Sequence, residues 1–300
     1  MKIATTIAEV LSYVDLNAAE AVEFYRETGF KYLDFSFYHA VTRPDHPLMK
    51  EGWKEWVLAA KKAAEDGGIQ WVQAHLPACK LIGEGKERGL QACLRAIEAC
   101  GILGIENAVI HSSFAEGDFR YPQDRDAYFA ANKPFLDALV PAMEKHGVRV
   151  LLENSCQVNT RGLYFPMTAA DLNAFIAHLG HPLFGACWDI GHAHIEGLDQ
   201  RDELVALGNN LKAVHIHDNN GRSDQHQPVF NGTLNWDSFL RGLKDSGFEG
   251  PFTYEIDGFL PYTKEPDSLA DLRREKKRDS LKDQYKTAKQ LLAAYGMEGE

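Results

Sequence analysis

The stretch WDIGHAH, from Trp188 to His194, places one aspartate and two histidines within six positions, shortly after the apolar run PLFGA. Asp189 and His192 are three residues apart in a segment that turns, so both side chains can reach one centre. A carboxylate and an imidazole are the ligands that zinc and related divalent metals take from proteins. The stretch therefore indicates a metal site, provided that the rest of the chain supplies further ligands.

Further candidate ligands follow apolar runs elsewhere in the chain. The segments VQAHLP, VIHSS, LLEN, VHIHDN and YEID end in or contain such residues. The candidates from these segments and from the following SDQH loop are His75, His111, Glu153, His215, Glu255, Asp224 and His226. His194, His217 and Asp218 are left outside the set of direct ligands. A mixed set of histidines and carboxylates suits zinc, manganese, cobalt or iron. No candidate ligand is a thiol, which disfavours a soft metal or an iron–sulfur cluster.

Short β-rich runs alternate with helical patterns along the whole chain, which indicates parallel β-α-β units. The expected strands are Lys2–Ala8, Tyr32–Tyr38, Ile69–His75, Ala108–Ser113, Arg149–Asn154, Leu183–Ile190, Leu211–Asp218 and Pro251–Asp257. Eight strands, each followed by a helix, predict a (β/α)8 TIM barrel, and the lack of a linker predicts a single domain over residues 1–300. A doubly wound open sheet is the alternative, but its usual glycine-rich loop after the first strand is missing.

The barrel explains how distant residues meet. All carboxyl ends of the strands lie at one rim of a TIM barrel, where such enzymes hold their active sites. Six of the eight expected strands deliver a histidine or a carboxylate to that rim. Because uncompensated charges are costly at the edge of a buried interior, these groups should pair with one another or hold a metal.

Composition narrows the classes of function. The 32 Lys and Arg against 43 Asp and Glu give a net charge of −11, which disfavours nucleic acid as a partner. No apolar run is long enough to span a bilayer, and the first residues do not have the pattern of a signal peptide. Five cysteines without a C-x-x-C pair suit a reducing compartment, so a cytoplasmic location without a membrane partner is expected.

The segments LLEN, WDIGHAH, VHIHDN with the following DQHQPVFNGTLNW, and YEI together resemble the xylose isomerase-like barrels, over essentially the whole chain. This superfamily includes sugar isomerases, ketose 3-epimerases and endonuclease IV. The resemblance to the epimerases implies one divalent metal (Mn, Zn, Co or Mg) held by Glu153, Asp189, His215 and Glu255. It also implies that Glu153 and Glu255 act as the acid and base on either face of a sugar, with a metal-stabilised enediolate between the two proton transfers.

The resemblance leaves a second activity open. An endonuclease IV-like phosphodiesterase with two or three zinc ions would use nine residues, and all nine positions are matched here: His75, His111, Glu153, Asp189, His192, His215, Asp224, His226 and Glu255. In the epimerase reading, His192 contacts the substrate instead. The sequence favours the isomerase or epimerase with a small carbohydrate substrate, and related barrels often form dimers or tetramers, which allows a homo-oligomer.

Rim residues suggest how a substrate would be bound. Six aromatic or histidine side chains are candidates for lining a carbohydrate pocket: Phe37, Tyr38, His39, Tyr121, Tyr164 and Trp188. If the sugar carries a phosphate, a nearby cation would bind it, and the candidates are Arg161, Arg222, Lys80 and Arg120. The loop after His226 departs from the common H-x-P-x-G-x-G form, because Val229, Phe230 and Asn231 surround the position of the first glycine. This departure predicts an altered pocket wall.

Overall fold

The eight strands form one closed, parallel barrel in the order β1 to β8, as the alternation predicted. A computed structural model describes residues 1–14, 17–112, 119–261 and 266–300. The strands are β1 Ile3–Thr6, β2 Tyr32–Ser36, β3 Gln70–His75, β4 Asn107–Ile110, β5 Arg149–Glu153, β6 Phe184–Asp189, β7 Leu211–Ile216 and β8 Phe252–Tyr254. Register is parallel throughout, with bulges between Leu33 and Asp34 and between Ala186 and Cys187.

Helices surround the barrel. Their bounds are α1 Ala8–Leu11, α2 Ala18–Tyr25, α3 Trp53–Gly67, α4 Lys86–Leu103, α5 Arg125–His146, α6 Gln157–Thr160, α7 Ala169–Leu179, α8 Ile190–Ile195, α9 Gln200–Leu207, α10 Trp236–Asp245 and α11 Asp267–Ala294. Several of them end at a glycine in the left-handed region, such as Gly104 after α4 and Gly147 after α5, which closes the helix without a Cβ penalty. Among the described residues, no helix combines the length and the hydropathy that crossing a membrane requires.

Most strands are shorter than the sequence predicted, especially at the rim. The end of the fourth expected strand, Ser113, lies outside the described residues. Strand β8 ends at Tyr254, but the backbone N–H of Glu255 still donates to the carbonyl of Ile216 at 3.0 Å, so Glu255 stays tied to β7. The short helix α8 replaces the expected end of β6, because the Asp189 carboxylate accepts the backbone N–H of His192 at 2.7 Å and caps the helix.

The pleat of the strands places the candidate residues. Side chains alternate between the barrel interior and the surrounding helices with a period of two. Four apolar side chains from β4 to β7 form a separate buried cluster: Val109, Leu151, Cys187 and Ala213. Two residues further along the same strands stand His111, Glu153, Asp189 and His215. The candidate ligands therefore form the next layer above this cluster, at the carboxyl ends of the strands.

A side chain from LLEN joins two of these strand ends. The Asn154 amide donates to the Asp189 carbonyl at 2.9 Å and accepts the Asp189 backbone N–H at 2.7 Å. Asn154 is fully buried, so these two bonds are shielded from water. They fix the relative position of the Glu153 and Asp189 backbones, which carry two of the candidate ligands.

Candidate metal centre

A cavity of about 650 Å³ opens at the rim where the strands end. Seven candidate residues line it: His75, His111, Glu153, His192, Asp224, His226 and Glu255. Asp189 and His215 are fully buried beside it. Arg222 is exposed and does not line the cavity, so the structure does not bring it to the other candidates.

The first donor group consists of His75, Glu153, His215 and Glu255, whose ligand atoms all lie within 4.8 Å of one another. His215 Nδ1 lies 2.9 Å from Glu153 Oε1 and 3.5 Å from Glu255 Oε2. His75 lies between the same two carboxylates, with Nδ1 3.1 Å from Glu255 Oε1 and Nε2 3.6 Å from Glu153 Oε2. Two imidazoles and two carboxylates facing one point are a donor set that suits a divalent metal such as zinc or manganese.

Asp189, which the sequence placed with Glu153, His215 and Glu255, belongs to a neighbouring group. Its ligand atom lies within 4.8 Å of those of Glu153 and His192. His217 Nε2 lies 3.1 Å from both carboxylate oxygens of Asp189. Glu153 thus belongs to both groups and joins them.

The second donor group consists of His192, Asp224 and His226. His192 Nε2 lies 3.0 Å from Asp224 Oδ2, and His226 Nε2 lies 3.2 Å from Asp224 Oδ1. The other ring nitrogens face further acceptors. His192 Nδ1 lies 2.9 Å from the carbonyl of Asn154, and His226 Nδ1 lies 2.9 Å from Asp257 Oδ1 and 3.1 Å from the carbonyl of Glu255. Metal-binding histidines usually donate their second N–H in this way, so both rings present Nε2 to the group.

The carboxylates are held in their charged form by the neighbouring histidines. Burial alone would raise the pKa of Glu153, but the imidazoles of His215 and His111 outweigh burial and hold it well below its ordinary value. His111 Nε2 lies 2.8 Å from Glu153 Oε2. Burial likewise opposes the charge of Asp189, and His192 and His217 lower the pKa of this carboxyl. Ionised carboxylates are the form that binds metals and accepts protons.

The same contacts act on the histidines in the opposite direction. Burial would lower the pKa of His192, but Asp189 and Asp224 raise it well above its ordinary value. For His226, burial is outweighed by Asp257 and Asp224, which also raise the pKa well above its ordinary value. In the metal-free protein these rings therefore keep a proton at a pH where a free histidine would lose it.

Metal loading is expected to release protons because a ligating imidazole must be neutral. The raised pKa values of His192 and His226 mean that metal and protons compete, so the metal affinity should increase as the pH rises through these pKa values. Calorimetric titration with Zn²⁺ in buffers of different ionisation enthalpy would measure the number of protons released. A heat of binding that is independent of the buffer would contradict this expectation.

Four residues outside the predicted set support the site. Asn159 Nδ2 donates to Asp224 Oδ2 at 2.9 Å, and the Gln73 side chain lies 2.8 Å from His215 Nε2. Asp34 is fully buried 3.9 Å from His75 Nδ1, and neither of its carboxylate oxygens has a hydrogen-bond partner among the described residues. His217 contacts both Asp189 and the second donor group. The alternation within YLDFS and WVQAH was a usable signal for Asp34 and Gln73, because the pleat turns both toward the interior.

Only some of the other substrate-binding candidates line the cavity. Tyr38 and His39 line the cavity, whereas Phe37, Tyr164 and Trp188 are buried in packing and Tyr121 packs against the core. Of the four proposed phosphate-binding cations, only Arg161 lines the cavity. Arg161 is exposed and has a positive φ of 53°, at the end of α6.

Asp218 organises the loop that departs from the common form. Its buried carboxylate accepts the backbone N–H groups of Phe230 and Leu234, each at 3.1 Å, and the indole N–H of Trp236 at 3.2 Å. A Cβ at Gly232 would lie 2.2 Å from the Asn219 carbonyl oxygen. Phe230, at the position of the first glycine of the common form, keeps a positive φ of 69° and is 64% exposed. Phe230 therefore has the left-handed backbone conformation that glycine favours, although it is not a glycine.

Two substitutions in this loop are expected to differ in their effects. Gly232→Ala should destabilise the protein by ~1–3 kcal/mol, the usual cost of overpacking, because the new methyl group meets backbone. Phe230→Gly should change the free energy of unfolding by less than about 1 kcal/mol, because relief of the left-handed strain offsets the lost contact with Trp236 and the extra freedom of the unfolded chain. Chemical denaturation of both variants measures this, and equal losses would contradict the described loop.

Comparison with known proteins identifies a protein family and several relatives that are similar to this chain. A family model described as the xylose isomerase-like TIM barrel matches residues 22–272. The L-ribulose-5-phosphate 3-epimerase UlaE of Salmonella heidelberg is 25% identical over 240 residues, which cover 77% of this chain and 79% of that protein. A probable endonuclease 4 of Oleidesulfovibrio alaskensis is 28% identical over 178 residues, which cover 54% of this chain and 58% of the relative.

The extent of these matches differs. The chain matches between 53% and 58% of the length of three of its curated relatives. A solved D-allulose 3-epimerase from Methylomonas sp. superimposes with a TM-score of 0.72 and 16% identity, covering 97% of this chain and 96% of that one. At this identity the superposition shows the shared barrel fold.

Proposed function

Because the chain belongs to the family of xylose isomerase-like TIM barrels, we propose that it is a divalent-metal-dependent isomerase or epimerase acting on a sugar, a sugar phosphate or a related polyol. The observation that carries this proposal is the position of Glu153 and Glu255. Both carboxylates contact the same two imidazoles, His75 and His215, although they come from different parts of the barrel. A substrate in the cavity would lie within reach of both.

Two such carboxylates suit proton transfer beside a carbonyl group. One glutamate removes the proton from the carbon next to the carbonyl, and the other returns a proton to the opposite face or to the neighbouring carbon. Glu153 is ionised near neutral pH because the neighbouring imidazoles hold its pKa low, and the ionised form is the one that can accept a proton. A divalent metal bound by Glu153, Asp189, His215 and Glu255, with His75 beside them, would stabilise the negative charge that develops on the carbonyl oxygen.

Among the substrates of this proposal, the cavity wall favours a polar one without a phosphate group. The described lining residues include five carboxylates: Glu9, Glu153, Asp224, Glu255 and Asp257. Among the same described residues, Arg161 is the only lysine or arginine. Sugar hydroxyl groups can donate to these carboxylates, and Tyr38 offers an aromatic face beside His75 and His111. Matches to a ketose phosphate epimerase and to a ketose epimerase fold agree with a carbohydrate substrate.

The second candidate function is an endonuclease IV-like phosphodiesterase with two or three zinc ions. The second donor group favours it, because His192, Asp224 and His226 offer a complete set of ligands beside the first group. The match to a probable endonuclease 4 agrees with it. The acidic cavity wall disfavours it, because binding a nucleic-acid backbone calls for several cations and the described wall offers Arg161.

A substrate panel tests the two functions together. The protein, loaded with Mn²⁺, Co²⁺, Zn²⁺ or Mg²⁺, would be incubated with ketoses, ketose phosphates and an oligonucleotide that contains an abasic site. The proposal predicts an epimer or isomer of one sugar, measured by chromatography, and its loss in Glu255→Gln. Glu144→Gln is the matched control, because Glu144 lies on the surface beside His181. Strand cleavage without any sugar conversion would replace the first proposal by the second.

A further inference from the structure

His217 contacts Asp189 and the second donor group, although neither the motif nor the proposed reaction gives it a role. Its side chain is fully buried, two residues beyond His215 and directly after the end of β7. Nε2 lies 3.1 Å from each carboxylate oxygen of Asp189 and 3.8 Å from Asp224 Oδ1. The ring stacks on His226 with centroids 4.0 Å apart and planes 7° from parallel.

The Cε1 edge of the His217 ring faces the backbone of Gly191. A Cβ on Gly191 would lie 2.0 Å from Cε1 and 2.5 Å from Nδ1 of the His217 ring, so the ring edge rests against Gly191. Nδ1 has no hydrogen-bond partner in the part of the chain that the structure describes. Since Nε2 is shared by the two Asp189 oxygens and Cε1 rests against Gly191, His217 is badly placed to be a ligand itself.

From this arrangement we infer that His217 is a positioning residue that holds the Asp189 carboxylate and the His226 ring in place and so couples Asp189 to the second donor group. The inference rests on the proposed metal site. The Nε2–H group donates to Asp189, which orients this carboxylate toward Glu153 and His192. The face of the same ring fixes the plane of His226, whose Nε2 faces Asp224. Outer partners of this kind typically change metal affinity 10–100-fold.

The inference also accounts for glycine at position 191 in WDIGHAH. Helix α8 begins one residue earlier, and its close approach to β7 leaves no room for a side chain at this position. The glycine lets the His217 ring lie flat between the helix and His226. The segments WDIGHAH and VHIHDN thus pack against each other through Gly191 and the His217 ring.

Two substitutions separate the two contacts. His217→Phe keeps a ring of similar size against His226 but removes the donor to Asp189. His217→Gln keeps an N–H donor but removes the stacked ring. The matched control is His194→Phe, because His194 lies in the same helix as His192 and contacts Thr233 outside both donor groups.

The measurement is Co²⁺ affinity of chelator-treated full-length protein, followed by visible absorption in competition with a chelator. His217→Phe is expected to weaken Co²⁺ binding 10–100-fold, with His217→Gln recovering part of this loss and His194→Phe unchanged. Thermal unfolding of the metal-free variants shows whether they fold. Should His217→Phe not fold, His217→Gln compared with His217→Ala gives the same contrast between a kept and a lost donor.

The outcomes distinguish this inference from the proposed function. Native protein that binds Co²⁺ together with an unaffected His217→Phe variant would overturn the positioning role and leave the metal site intact. Native protein that binds neither Co²⁺ nor Zn²⁺ would overturn the metal site itself and this inference with it. A loss in His217→Gln that is absent from His217→Phe would assign the effect to the ring alone and contradict the role of the hydrogen bond to Asp189.

Discussion

Glu153→Gln is expected to abolish both metal binding and catalysis, because Glu153 belongs both to the first donor group and to the group that it forms with Asp189 and His192. Its two oxygens contact His75, His111 and His215, and it also stands within reach of Asp189 and His192. A neutral amide removes the negative charge that offsets these imidazoles and offers a much poorer ligand. Loss of a positioned acid or base costs ~10²–10⁴-fold in rate, and loss of the metal adds to this.

The measurement is metal content per chain by mass spectrometry, together with the rate of sugar conversion. Glu144→Gln, on the surface, should keep both. Asp224→Ala tests the second donor group in the same experiment: a single-metal enzyme should keep its metal in this variant, whereas a multi-zinc enzyme should lose part of it. A Glu153→Gln variant that retains full metal content would contradict the ligand assignment.

Lys277→Met is expected to destabilise the fold by ~3–5 kcal/mol, the cost of leaving a buried charge without its partner. Lys277 and Glu9 are both fully buried, and Nζ lies 3.1 Å from Glu9 Oε2. The same ammonium group donates to the carbonyls of Ile256 at 3.0 Å and Phe259 at 2.9 Å. These carbonyls belong to the segment directly after Glu255, so the substitution should also loosen this proposed catalytic residue.

The stability loss in Lys277→Met is expected to depend on pH. Burial raises the pKa of Glu9, and Lys277 opposes that rise. A carboxyl whose folded pKa is raised favours folding below its unfolded pKa, and this contribution is lost as the pH rises through the folded value. Without Lys277 the folded pKa rises further, so the variant should be closer to native stability at pH 5 than at pH 8. Chemical denaturation at both values measures this.

A second substitution serves as the control for Lys277. Glu9→Gln combined with Lys277→Met removes both charges and should recover part of the lost stability, because no charge is then left unpaired. An equal loss in the single and the double variant, at either pH, would show that Lys277 acts through its contacts with the two carbonyls rather than through Glu9.

The barrel and most of its site could be predicted because both depend on periodic patterns. Strands alternating with helices specified the barrel, and the position of His75, Glu153, Asp189 and Glu255 after apolar runs placed them at one rim. The grouping of the ligands could not be predicted. The Asp189 carboxylate contacts His217, and this contact depends on how closely α8 packs against the end of β7. The spacing of residues along the chain does not predict that packing.

Other features were hidden for similar reasons. The exposed Arg222 lies in a turn where the Asn220 side chain accepts its backbone N–H at 2.9 Å, and the sequence shows only that a cation follows β7. Asn154 and Asn159 act through hydrogen bonds to residues more than thirty positions away. Such contacts follow from the closed barrel and become visible only when the strands are placed side by side.

The most direct test of a metal-dependent proton transfer is deuterium exchange in D₂O. The protein would be incubated with the sugar that the panel identifies, and NMR would follow hydrogen at the carbon next to the carbonyl. The proposed function predicts exchange of that hydrogen on addition of a divalent metal, and no exchange after chelation or in Glu255→Gln. Conversion of the sugar at an unchanged rate after complete removal of the metal, or conversion without any solvent deuterium entering under conditions where the carboxylates exchange with water, would contradict it.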